Sequence, residues 1–348
     1  MGKKVLLILT GGTIGGQTAN KHDANNVMLE FVNKHKSANN IDVVDSIIPF
    51  DPIDSAEIEP WHWKKLSNTI YEKYEDYDSF IIAHGTNTMI QTAMALSLAL
   101  GNIAKPVILT GSQKPFDHPR SDAITNFGGA FELSAYDEKQ IKGVVIVFQN
   151  RIISGINAIK TSNKDNDAFS TFGSSSDLGN IDNGITIRSD DLEKHNSNFG
   201  SAKTKSELDV QADFDDTGAL QSYDTHVAFQ PKTVFDDMKY KPYVKAFIFS
   251  FSGDGDPNMK RMRACFEEMK NKRIPCVATS HSANGTTYMT LNDPGNIARF
   301  LGVIPSGELN HLTANVKMLW LIAQGCKYEN FAQAMSANRN EVIKYFNT

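Results

Sequence analysis

Cysteine is scarce in this chain of 348 residues: three are present, Cys265, Cys276 and Cys326, all in the last third and without a CxxC pair. That excludes a disulfide scaffold, and it fits reduced, packed thiols in a cytoplasm. Basic charge is outweighed, with 35 Lys+Arg against 40 Asp+Glu and a net charge of −5. The footprint of a nucleic-acid binder is therefore missing, and nucleic acid is not an expected partner. Long apolar runs are absent too. None approaches the roughly 20 residues of a membrane helix. Lys3 and Lys4 precede Val5–Leu9, but a run of five is too short for a signal-peptide core of about seven to fifteen. Leu6 also stands where a myristoylation pattern needs Ser or Thr. The expectation is a soluble cytoplasmic protein with no membrane partner. The nine histidines include no pair at metal-ligand spacing, so neither metal nor cofactor is expected. Hydrophobic residues at 41% and charged residues at 22% exclude a disordered chain and leave a globular one.

What is present is a rhythm. Six short, β-branched-rich runs each end in small or polar residues: Val5–Leu9, Phe80–Ala83, Val107–Leu109, Val144–Phe148, Ala246–Phe251 and Cys276–Ala278. Continuous apolar runs of this length suit strands buried on both faces. Helical spacing fills the intervals over Trp61–Lys73, Met89–Leu100, Asp122–Ser134, Met259–Lys272, Leu312–Ala323 and Tyr328–Tyr345. Alternation of this kind predicts an α/β fold. The expected architecture is a larger N-terminal domain with a mainly parallel sheet flanked by helices, and a smaller C-terminal α/β domain. The polar stretch from Arg188 to Lys241 interrupts the rhythm. We place domains at 1–190 and 242–348, with a linker over 191–241 that has room for a hairpin. In such sheets ligands bind beyond the carboxyl ends of the strands, where the Gly/Thr/Ser/Asn-rich segments fall.

Those segments carry the chemistry. Gly11-Gly12-Thr13-Ile14-Gly15-Gly16-Gln17-Thr18 mimics a phosphate-binding loop, but Gln17 replaces the lysine and the residues after Thr18 are a poor helix start. Nucleotide binding is rejected. Two readings remain: a tight turn needing positive φ, or a mobile glycine-flanked loop presenting the Thr13 hydroxyl. His84-Gly85-Thr86-Asn87-Thr88 sits at a strand-to-helix junction, where Thr88 or Asn87 caps the helix and the hydroxyls face an anion-favouring terminus. Asp254-Gly255-Asp256-Pro257-Asn258 lacks the glycine and distal glutamate of a calcium loop and is expected as a solvated turn. Trp61 and Trp63, flanking His62, are expected as helix packing.

Taken in order and spacing, Thr10–Ile14, Asp54-Ser55, His84–Thr88, Thr110-Gly111-Ser112-Gln113, Arg120-Ser121-Asp122 and Lys160 resemble the bacterial L-asparaginases, more closely the type I, cytoplasmic kind. The C-terminal half agrees more loosely, through Lys245-Ala246-Phe247, Ser252-Gly253-Asp254-Gly255 and Gly302–Gly307. The resemblance implies a two-domain α/β homodimer or dimer of dimers that hydrolyses the side-chain amide of L-asparagine without a cofactor. It implies Thr13 as nucleophile, Thr86 and Lys160 as the proton-handling pair, and Asp54 and Ser55 as binders of the substrate's α-groups. Gly85 and the Gly111–Gln113 turn, with Ser112, would line the amide. The residue types suit this chemistry: a threonine hydroxyl needs a partner to take its proton, and a desolvated lysine can serve. From composition alone Lys160, in a polar segment, is an exposed surface lysine.

Two departures stand out. No tyrosine occurs over Gly15–Leu29, and Asn87 replaces the family's aspartate, which meets the substrate ammonium. Losing an anion beside a bound ammonium costs roughly 2–5 kcal/mol. Three explanations of Asn87 remain open: a substitution introduced to trap a ligand, a member that binds without hydrolysing, or a substrate lacking the free ammonium. The rival functions are a non-catalytic asparagine or aspartate binder and a glutaminase of the amidotransferase type. Enzymes of the latter type usually carry an added N-terminal domain, and the first strand here begins at Lys3.

Overall fold

The computed structural model describes residues 2–14, 21–116, 118–136, 141–283 and 285–346, with backbone alone for 21–27. Two compact units divide the chain: residues 1–171 with 175–212, and 172–174 with 213–348.

The larger unit is built on strands β1 (Lys3–Leu9), β2 (Ile41–Ile47), β3 (Ser79–Ala83), β4 (Pro106–Thr110) and β5 (Gly143–Phe148), all parallel and adjacent in the order β5-β4-β3-β1-β2. Every residue of β3, β4 and β5 is buried, which is why these runs are apolar throughout rather than alternating. β2 lies at the sheet edge, and with polar Asp42, Asp45 and Ser46 it carries no continuous apolar run. Helices α1 (Lys21–His35), α2 (Pro60–Glu72), α3 (Met89–Ala99) and α4 (Ala123–Ser134) make the crossovers. The residues after Thr18, expected as a poor helix start, lead into α1. Buried Met28 and Val32 and the Phe31–Phe127 edge contact at 5.6 Å give its second half an apolar stripe.

β5 does not cross over again. Gln149 and Asn150 take φ of 45° and 60°, the left-handed pair that a two-residue hairpin turn needs. The chain therefore returns antiparallel as β6 (Arg151–Ser154). A small ribbon follows, β7 (Ala158–Lys160) against β8 (Phe169–Thr171), and then β9 (Gly179–Ile181) and β10 (Ile185–Ile187) complete the eight-stranded sheet. Helix α5 (Ser189–Asn196) belongs to the same unit.

The smaller unit has four parallel strands in chain order: β11 (Leu220–Asp224), β12 (Ala246–Phe251), β13 (Cys276–Ser280) and β14 (Val303–Pro305). Its helices are α6 (Lys232–Tyr240), α7 (Met259–Asn271), α8 (Asp293–Phe300), α9 (His311–Ala323), α10 (Tyr328–Ser336) and α11 (Arg339–Val342). The stretch expected as a linker thus holds β11 and α6, and β11 pairs parallel to β12 rather than in a hairpin. Alternate residues of β12 put Phe247, Phe249 and Phe251 on one face, where Phe249 lies 6.2 Å from Phe247 and 5.5 Å from Phe251, both stacked. Phe266 of α7 meets them edge-on.

Three expectations change here. The helix expected over Tyr328–Tyr345 breaks at Ala337, which is extended (ψ 150°), and Asn338 restarts it by accepting the Glu341 N–H at 3.0 Å. The turn at Asp254 is not solvated. Its carboxylate is buried and accepts backbone N–H groups of Tyr288 at 2.8 Å and Thr290 at 2.9 Å. Burial opposes its charge, but these bonds outweigh that and hold its pKa below the usual carboxylate value. Trp63 is packed as expected, whereas Trp61 is half exposed, stacked on His62 and donating to Glu59 at 2.9 Å. Cys265 and Cys276 are buried and Cys326 partly so; all three are free thiols. No described helix is long and apolar enough to cross a membrane.

Lys317 of α9 is buried and donates to the carbonyls of Met335 and Ala337, each at 2.7 Å, which pins the break after α10. Burial lowers its pKa from 10.5 to about 7. Between those values the unfolded chain binds the extra proton, so stability rises with pH, by up to about 1.4 kcal/mol per pH unit from this group. Denaturant midpoints measured from pH 7 to 10 should therefore climb more steeply for the parent than for Lys317→Met. Parallel curves would show that Lys317 does not lose its proton on folding in this range.

Candidate active site

Strand order locates the site. From β1 the chain moves to one side to form β2 and to the other to form β3 and β4. The carboxyl ends of β1 and β3 are therefore a switch point, the place where ligands bind in sheets of this kind. Thr10–Ile14 leaves β1 there, and His84–Thr88 leaves β3.

The two backbones almost touch. A Cβ on Gly12, whose φ is +75°, would lie 2.3 Å from the Gly85 Cα, and one on Gly85 would lie 2.5 Å from the Ser55 hydroxyl. Only glycine fits at either place. Ile53 N–H donates to Thr10 O at 3.1 Å and Gly12 N–H to Ile53 O at 3.0 Å, which brings the 53–55 segment alongside the first loop. Thr10 Oγ1 donates to Ala83 O at 3.0 Å. Thr13, half-buried, is the next residue after this contact. Residues 15–20, the rest of the glycine-flanked loop, lie outside the described residues.

Asp54 caps a short turn by accepting the Ala56 N–H at 2.9 Å. Buried Ser55 accepts the Asn87 N–H on its hydroxyl at 3.1 Å and the Thr88 hydroxyl on its carbonyl at 2.6 Å. The Asn87 side chain donates to Asp54 Oδ1 at 3.4 Å. Lys160 ends β7 and its Nζ donates to Thr86 Oγ1 at 3.0 Å, with Asn87 Oδ1 at 3.5 Å. It is not an exposed surface lysine. It is half-buried, desolvation lowers its pKa, and no described carboxylate lies within ion-pair reach of its amine. Thr13, Asp54, Ser55, Gly85, Thr86, Asn87 and Lys160 thus gather at one end of the sheet. Ser112 follows β4, the next strand, and is fully buried, with no partner for its hydroxyl among the described residues.

Three supporting groups surround these residues; His84 and Asp122 lie in the quoted motifs, whereas Arg151 carries no signal in the sequence. His84 Nδ1 lies 2.7 Å from the Gly85 carbonyl, which can only accept, so Nδ1 bears the proton. Its Nε2 then accepts the Thr92 hydroxyl at 3.0 Å, and Thr92 accepts the Trp63 indole N–H at 3.1 Å. Burial pushes the His84 pKa down to about 4, so the ring is neutral at pH 7. The second group is buried Asp122, which accepts the N–H groups of Gln113 at 2.9 Å and Lys114 at 3.0 Å. Asn126 donates to Gly111 O at 2.9 Å and completes the turn. The third is Arg151, which grips the strand opposite Lys160.

A lysine without a carboxylate partner among the described residues, and one hydrogen bond from a threonine, can take and return protons for a hydroxyl nucleophile. No described cluster of His, Cys, Asp or Glu could hold a metal. The family model described as "Asparaginase, N-terminal" matches residues 4–192. The chain is similar to L-asparaginase 1 of Escherichia coli, 30% identical over 289 residues covering 82% of this chain and 80% of that protein. It is also similar to a glutamyl-tRNA(Gln) amidotransferase subunit of Thermococcus kodakarensis, 26% identical over 358 residues covering 98% and 77%. In structure it is similar to L-asparaginase I of Vibrio cholerae, with a TM-score of 0.81 over 97% of this chain and 98% of that one, at 24% identity.

Thr92→Val keeps the shape and removes both bonds of the His84 relay. It should cost about 1–3 kcal/mol, read from urea denaturation, because two buried polar groups lose their partner. A change below about 0.5 kcal/mol, the lower end for a single hydrogen bond, would show that the relay is not intact in solution.

Proposed function

The chain belongs to the asparaginase family, and from that footing we propose that it hydrolyses the side-chain amide of L-asparagine to L-aspartate and ammonia. Thr13 attacks the amide carbon and its hydroxyl proton leaves with ammonia as the C–N bond breaks. Water then cleaves the acyl-threonine. Thr86 and Lys160 form the proton path, and Asp54 and Ser55 take the α-ammonium and α-carboxylate. Gly85 and Ser112 border the amide. The oxyanion of each tetrahedral step needs backbone N–H groups held in place. The observation that carries this reading is the 3.0 Å bond between Lys160 Nζ and Thr86 Oγ1, made by an amine whose pKa burial has lowered.

A second reading rests on Asn87. This side chain is uncharged and 3.4 Å from Asp54, so a bound α-ammonium meets one carboxylate. The competing outcome is therefore a protein that binds asparagine without turnover. Glutamine hydrolysis is the third case, in line with the name of the amidotransferase relative.

Ammonia release from asparagine, glutamine and N-blocked asparagine separates these. We expect turnover of asparagine, loss of it in Thr13→Ala, and a fall in kcat of about 10²–10⁴-fold in Lys160→Met. Activity should rise with pH through the Lys160 pKa, since the base form is the neutral amine, and the limb should lie below 10.5. Asn87→Asp should tighten KM. If the parent is silent and asparagine only raises its melting temperature, it is a binder. Turnover of the blocked substrate alone would move the substrate class.

A further inference from the structure

Lys160 stands on a support that is too small to hold it unaided. β7 and β8 pair with each other over three residue pairs and belong to no larger sheet, and a ribbon of that size is at best marginal in water. Within it, Lys160 is paired directly with Phe169.

The Arg151 side chain ties this ribbon to the main sheet, beside the packing of Phe169 on Phe148. Arg151 opens β6 immediately after the Gln149–Asn150 turn, and its pairing with Phe148 fixes its backbone. Its Nε donates to Asp177 Oδ2 at 2.8 Å and its Nη1 to the Phe169 carbonyl at 3.1 Å, with Asp167 Oδ1 at 3.4 Å. The other Asp177 oxygen accepts the Thr171 hydroxyl at 2.7 Å. Both ends of β8 are therefore gripped through one guanidinium, first at Phe169 and then, by way of Asp177, at Thr171. The buried Phe169 ring lies 5.9 Å from the Lys160 amine and packs on Phe148 at 4.7 Å. A planar fork with several fixed donors suits this junction, and an ammonium on a flexible stem does not.

We propose that Arg151 is a positioning residue for the amide hydrolysis: through the Phe169 carbonyl and Asp177 it fixes β8, and β8 sets the reach of Lys160 to Thr86. This rests on the reading of Lys160 as the proton-handling base. Misplacing such a group by about 1 Å costs on the order of 10²-fold in rate. The Arg151 side chain is 35% exposed, so its replacement leaves the core filled.

The test compares Arg151→Met, Arg151→Lys and Asp177→Asn with the parent, each assayed well below its own melting temperature, with Lys160→Met as reference. In Arg151→Met, kcat should fall about 10–100-fold with KM for asparagine within about twofold, because the α-group binders are untouched. The acid limb of kcat should move toward higher pH as the loosened lysine regains water. Arg151→Lys should recover little. Asp177→Asn, which keeps an acceptor, should show a smaller fall in the same direction, and it replaces Arg151→Met as the deciding variant if the latter does not fold. A lower melting temperature with unchanged kcat and pH limb overturns the proposal. If Lys160→Met keeps parental kcat, the reading of Lys160 fails instead.

Discussion

Two glycines meeting at the carboxyl ends of β1 and β3 set the geometry on which the rest of the site depends. With a Cβ on Gly12 only 2.3 Å from the Gly85 Cα, no other residue pair lets these loops approach. Thr13 follows Gly12 and Thr86 follows Gly85, so this approach brings the two threonine-bearing loops together. The sheet order makes this spot a switch point, where ligands bind in sheets of this kind. The 53–55 segment then closes one side through its bonds to Thr10, Gly12, Asn87 and Thr88.

Electrostatics follow from what is missing near Lys160. Desolvation shifts its pKa, with no carboxylate among the described residues to oppose it. A lysine in water is a poor base at neutral pH because it is almost wholly protonated, and a lysine paired with a carboxylate is poorer still. Half-burial on the β7–β8 ribbon moves it the other way. The same logic keeps His84 neutral: buried and bonded to the Gly85 carbonyl, it shapes the loop without adding charge to the site.

What the sequence made legible divides along physical lines. The six apolar runs coincide with β1, β3, β4, β5, β12 and β13, since a strand covered on both faces leaves a contiguous apolar signature. β2, at the edge with Asp42 and Asp45, leaves none, and β6 to β10 are three or four residues long. β11 hides in the polar stretch because its burial pattern is intermediate to exposed. In the site, Gly85, Thr86 and Asn87 sit in a polar motif directly after β3, whereas Asp54, Ser55 and Lys160 could be picked out only through the family resemblance in order and spacing. Their supports could not. Arg151 and Asp177 are 26 residues apart, and Trp63 and Thr92 are 29 apart, and nothing local in either sequence announces its partner. The Lys160 environment shows the limit most plainly, for a polar segment that reads as surface becomes half-buried once Phe169 is folded beneath it.

Asn87 joins these threads. It takes a hydrogen bond from Lys160 at 3.5 Å and gives one to Asp54 at 3.4 Å. A carboxamide can do both at once, because it has an acceptor on one side and a donor on the other. A carboxylate in its place would accept from Lys160 but repel Asp54, and it would stabilise the lysine as a cation. On the proposed reading, the amide trades attraction for the substrate's ammonium against the basicity of the lysine. In a chain whose net charge is −5, one charge more or less alters nothing about solubility or fold. At this position, in the proposed hydrolysis, it alters which end of the site the charge serves: binding the α-group, or keeping the proton acceptor free.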